Sequence, residues 1–128
     1  MESMKKANHE TPVFLVERQG EILIVAPSRD AMGLVESNLR TELNALHELV
    51  EGQEIRHLVV DLGSSSFFDS LILGAVTVLG QRVRDRGGKA VLCNAHEEMY
   101  EVLQIIRFDT ILPYFRSPSA ALDFVLSH

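Results

Sequence analysis

A chain of 128 residues that is 46% hydrophobic and 23% charged has enough apolar matter for one core, which excludes a disordered polyelectrolyte and a staple-dependent miniature fold. Its net charge of -6 excludes the overall basic footprint of a nucleic-acid binder and gives no pull toward an anionic membrane. A lone cysteine, Cys93, excludes an internal disulfide and suits a reducing, cytoplasmic setting.

In chain order, residues 1–12 are polar and unpatterned. They are expected to form a mobile arm and lack the apolar stretch of a secretion signal. Residues 13–128 read as a single domain of alternating strand and helix signals. Residues 13–16 and 21–25 are short strand signals, and Gly20 in "ERQGE" suits a hairpin turn between them. Ser28 or Asp30 can cap a helix in which Leu34, Leu39, Leu43, Leu46 and Leu49 recur at mostly helical spacing, with Gly52 as its stop. "HLVVDL", residues 57–62, alternates little, as expected of a strand covered on both faces. A serine-rich loop follows, then an apolar helix closed by "RDRGG". "KAVLCN" is another buried-strand signal, with Cys93 inside it as a small hydrophobe. "AHEE" opens a helix whose apolar residues are Met99, Val102, Leu103 and Ile106; Glu97 and Glu98 complement the positive end of its dipole. "TILPYF" reads as a short strand that Pro113 confines to an edge or an end. In "SPSAALDFVLS" Ser117 is the expected N-cap and Pro118 the first helical residue. Phe14, Phe108, Phe115 and Phe124 are expected in the core. The sum is an α/β fold, a mixed central β-sheet of about five strands with about four helices.

The segment "DLGSSSFFDSLILGAVTVLG", residues 61–80, carries the chemistry. It is a strand, a loop and a helix, and functional groups concentrate at the carboxyl ends of such strands. Asp69 is a favourable N-cap, which puts Ser70 in the first turn. Free backbone N–H groups and the helix dipole there both favour an anion, so a phosphate on Ser70 is accommodated and changes the surface by a charge of roughly -1.5 to -2. Residues 71–79 are too few to cross a bilayer but more apolar than one buried stripe requires. Either the helix is buried on several sides, or part of it faces a protein partner. Gly74 weakens it by about 1 kcal/mol relative to alanine and is expected there for close packing.

The run "HLVVDLGSSSFFDSLILGAVTVL" resembles the signature of STAS domains, the sulphate-transporter and anti-sigma-factor-antagonist fold. Asp61, Phe68, Asp69, Ser70, Leu73 and Gly74 match that signature in order, and Asn94, Leu103, Ser117, Ala121 and Leu122 fit its later half. The resemblance implies a bacterial regulatory module in signal transduction and transcription control, without enzymatic activity or cofactor. It implies that Ser70 is phosphorylated by its partner, an anti-sigma factor that is also a serine kinase, and that the phosphorylated form lets go. A PP2C-type phosphatase restores the binding form. Carried over by position, the docking face is Ser64, Ser65, Ser66, Asp69, Ser70, Leu71 and Ile72. Two positions depart from the motif: Leu71 stands for its second serine and Ile72 for its following glycine. That pair of apolar side chains beside the acceptor also suits a non-switching STAS subunit, for example one binding a transporter ATPase.

Other groupings point to structure. The three serines lack a nucleophile elbow or a Walker loop, so a polar turn is the better reading than a small enzyme or nucleotide binder using residues 64–70. His9, His47, His57, His96 and His128 are scattered without metal-ligand spacing. "RVRDR" reads as the solvated, positively charged end of a helix.

Overall fold

The computed structural model describes residues 13–28, 36–52, 55–64 and 70–127, without the side chains of 36–39 and 70. The candidate caps split here: Ser28 is described, whereas Asp30 lies outside the described residues. Strands β1 (Phe14–Gln19) and β2 (Ile22–Pro27) form the expected hairpin, antiparallel and in register from Phe14↔Pro27 to Gln19↔Ile22. The turn is tight because Gly20 adopts φ +60°, a conformation other residues rarely take. Both strands outrun their apolar signals. Backbone pairing carries Glu17, Arg18 and Gln19 along an exposed edge that needs no hydrophobic alternation.

β3 (His57–Asp61), β4 (Ala90–Cys93) and β5 (Tyr114–Phe115) add in parallel, giving one five-stranded mixed sheet in the order β1-β2-β3-β4-β5. β5 is an edge strand beginning directly after Pro113, shorter than "TILPYF" suggests. A 3-10 turn, Phe108–Thr110, takes the residues before it, entered through Arg107 in a left-handed conformation.

Helices α1 (Glu36–Gly52), α2 (Ser70–Asp85) and α3 (Glu97–Ile105) supply residues to one sheet face, and α4 (Pro118–Leu126) covers the other. The register explains the division. Val25, Val60 and Leu92 lie side by side and face the larger core with Leu46, Val50, Val76, Leu79 and Leu103. Ile24, Val59 and Val91, one residue back, face Ala121 and Val125 of α4. Each fully buried aliphatic side chain contributes about 1.5–3 kcal/mol, so these central strands carry much of the stability. α4 starts as its sequence predicts: Ser117 Oγ accepts from Ala120 N–H at 3.1 Å and Pro118 takes the first turn.

One apolar expectation is corrected. Phe124 lies at the rim, its ring tilted against half-buried Phe115 with centres 5.0 Å apart and carrying the Lys89 ammonium 4.8 Å from its ring centre, because one short helix cannot cover that face. Ile106 is exposed because α3 stops at Ile105 and the chain turns away at Arg107. The "RVRDR" arginines are more than a solvated end. Arg82 pairs with Glu51, Arg86 donates to the Val50 carbonyl and Arg84 to that of Ile111, tying α2 to its neighbours on both sides.

Candidate functional site

The carboxyl ends of β3, β4 and β5 form a polar platform. Asp61, the last residue of β3, accepts at one oxygen from Gly63 N–H at 2.9 Å and from the Asn94 side-chain amide at 3.0 Å. Asn94 reaches it by adopting φ +67°, which asparagine tolerates better than most residues. His96 Nε2 donates to the Gly63 carbonyl at 3.1 Å, and Ala95 N–H donates to the Tyr114 hydroxyl at 3.0 Å. A Cβ at Gly63 would stand 2.4 Å from the Asn94 amide nitrogen, so a larger residue there would have to displace the Asn94 side chain from Asp61. Asp61 and Asn94 thus hold the exit of the serine-rich loop from both strands. Each marks a strand end in the sequence; their mutual bond carries no linear signal.

From this platform the chain passes Ser64, which is exposed, and enters α2 at Ser70, its first residue. Ser65, Ser66 and Asp69 lie outside the described residues, as does the Ser70 side chain. α2 presses Ile72, Leu73, Val76, Leu79 and Val83 into the core. Its opposite side shows Leu71 at 57% exposure, Gly74, and Val78 at 52%. These follow Ser70 along the helix as an apolar stripe with a notch at Gly74.

Two corrections follow. Ile72, expected beside the acceptor in the docking face, is only 4% exposed, because a helix turns its next residue by about 100° and sends it toward the sheet. Of the two departures from the motif, only Leu71 reaches the surface. Gly74, expected for close packing, has nothing within 4 Å of where a Cβ would be. The close-packed glycine of this helix is Gly80, whose Cβ would come within 3.3 Å of Ala90 and 3.2 Å of Leu112.

Cys93 is fully buried beneath the platform; burial first, then the Asp61 charge, pushes its thiol up to about 12, so it is no nucleophile near neutrality. Among the described residues no three His, Cys, Asp or Glu side chains are grouped to hold a metal, and no helix is long and apolar enough to cross a membrane.

The fold has many relatives. A STAS domain protein of Planctomyces limnophilus, an anti-sigma-factor antagonist, superposes with TM-score 0.70 at 20% identity, covering 89% of this chain and 98% of that one. The Bacillus cell fate determinant SpoIIAA in its phosphorylated form gives TM-score 0.63 at 16% identity, covering 88% of this chain and 98% of that one. An anti-sigma factor antagonist of Mycobacterium paratuberculosis gives 0.66 at 19%, covering 89% and 93%. At such identities the likeness is one of fold. No curated protein matches the sequence. The family model described as STAS domain, however, matches residues 13–121, through all three strand ends of the platform and all of α2. The chain belongs to the STAS domain family.

Proposed function

We propose that this STAS domain is an anti-sigma factor antagonist whose binding is switched at Ser70. In the unmodified state the start of α2 captures an anti-sigma factor that is also a serine kinase; phosphorylation of Ser70 releases it, and a PP2C-type phosphatase resets the cycle. One observation carries the reading: the stripe of Leu71, Gly74 and Val78, exposed on α2 directly after Ser70 at the carboxyl edge of the sheet. An apolar stripe suits a protein partner, and the open space at Gly74 suits a partner side chain. A phosphate at the head of that stripe puts an anion where the partner would have to strip its water, while the N-terminus of α2 tolerates it. That SpoIIAA, an anti-sigma factor antagonist, has been solved with and without phosphate supports a switch of this kind on this fold.

The test pairs the chain with an anti-sigma factor serine kinase and ATP. Mass spectrometry should find phosphate on Ser70 and none in Ser70→Ala. Ser70→Asp should weaken capture of the kinase at least about tenfold, near 1.4 kcal/mol, whereas Ser70→Ala should hold it in the presence of ATP. Both variants binding like the wild type would remove the switch. That result would favour a second reading, a constitutive STAS subunit such as one bound to a transporter ATPase, for which exposed Leu71 in place of a serine is the supporting observation.

A further inference from the structure

A cleft of about 400 Å³ opens beside the platform, between α3 and the edge strand β5. Its wall is aromatic: Tyr100 and Tyr114 stack with ring centres 4.7 Å apart. Tyr114 is held in place by the Ala95 N–H, and burial raises its pKa, so its ring stays a neutral phenol. Glu97 and Glu101, one helical turn apart on α3 and on either side of Tyr100 in the sequence, line it as well. Neither carboxylate has an ion pair among the described residues. Arg116 also lines the cleft, its guanidinium 5.9 Å from the centre of the Tyr100 ring.

We infer that this cleft receives an arginine side chain from the protein partner. It rests on the reading of the chain as a protein-binding module but not on modification of Ser70. A guanidinium is flat and weakly hydrated; it lies on a tyrosine face and offers paired donors to a carboxylate. The cleft supplies both surfaces together, and the Arg116 contact shows that the Tyr100 ring accepts a guanidinium. Two carboxylates against one arginine make an anionic occupant unfavourable, and the carboxylates would be stranded under an apolar one. The chain's net charge of -6 also speeds encounter with a basic partner. Position fits a second foothold: Ala95 and Glu97 flank His96, whose ring holds the loop leading to α2.

The experiment titrates the full chain with acetyl-Gly-Arg-Gly-amide and with its neutral citrulline twin, followed by NMR. The arginine peptide should give saturable shifts confined to residues 95–104 and 114–116, with the citrulline peptide at least about tenfold weaker. The double variant Glu97→Gln/Glu101→Gln should weaken the arginine peptide by a similar factor, and Tyr100→Leu should weaken it with both carboxylates intact. Ser70→Asp should bind the peptide like the wild type, so failure of the switch and failure of the cleft are told apart. Equal binding of the citrulline peptide, shifts scattered over the acidic surface, no saturable binding, or indifference to the double variant would overturn the inference.

Discussion

Glycines show how little a residue's identity says until its neighbours are known. Gly88 and Gly74 look alike in the sequence, yet a Cβ on Gly88 would stand 1.7 Å from the Arg56 carbonyl oxygen, whereas one on Gly74 meets nothing within 4 Å. Backbone cannot swing aside as a flexible side chain can. Gly88→Ala should therefore cost about 3 kcal/mol, as overpacking does at its upper range. Gly74→Ala should stabilise α2 by up to about 1 kcal/mol, because alanine is the better helix former and the space is open. Urea denaturation of the two variants checks both; equal effects would mean that the β3–β4 approach at Gly88 is looser than the structure has it. The same substitution at Gly74 fills the notch in the exposed stripe, so a variant that is more stable yet binds its partner less well is the expected signature of a docking position.

At the scale of elements, the hairpin is secured by a residue that periodicity assigns to solvent. Glu42 of α1 sits among the charged residues between its leucines, but its two carboxylate oxygens accept from Val13 N–H at 3.0 Å and Phe14 N–H at 3.1 Å. This carboxylate strap fixes the start of the edge strand β1 to the helix layer. Hydrogen bonds to a charged acceptor contribute about 1.5–3 kcal/mol, and removal leaves two partly buried amides unpaired. Glu42→Ala should cost about 3 kcal/mol and Glu42→Gln roughly half of that, with faster hydrogen exchange at Val13 and Phe14. Exchange unchanged in both variants would mean the amides have another acceptor. Helix α2 gives the opposite lesson. Its surplus of apolar residues is visible in the sequence and left two outcomes open, burial on several sides or a face for a protein partner. Exposed Leu71 and Val78 show that one side is left uncovered by the rest of the described chain.

For the folded unit, two of the described histidines, His57 and His47, tie stability to pH near neutrality. His57 opens β3, and its Nδ1 accepts from Lys89 N–H at 3.0 Å, bridging β3 to the residue before β4. Burial, then the charges of Arg56 and Lys89, hold its pKa below the ordinary 6.5 against the opposing pull of Glu21. His47 is lowered likewise, by burial and then by Arg82, with Glu51 opposing; its Nδ1 has no hydrogen-bond partner among the described residues. The native chain keeps both rings neutral where the unfolded chain would protonate them. Their contribution is therefore complete above about pH 6.5 and is lost as pH falls through the lower native values. Melting temperature should hold steady above about pH 6.5 and drop as pH falls below it, less steeply in His57→Asn, which keeps an acceptor near Lys89 N–H without a titrating ring. An identical slope in His57→Asn and His47→Gln would show that neither ring is held neutral.

The α/β class, the alternation of elements, the Ser117 cap and the buried Cys93 strand follow from local patterns, because periodicity, capping and turn chemistry act over a few residues. The resemblance of residues 57–79 to the STAS signature was legible for the same reason: the motif is contiguous. Tertiary structure alone decided which glycine is crowded, which of Leu71 and Ile72 faces out, and that Asp61 joins Asn94 across two strands. It alone placed Glu42 under β1 and Tyr100 beside Tyr114. Those outcomes depend on contacts between residues far apart in the chain, and a linear pattern records each partner without recording that they meet.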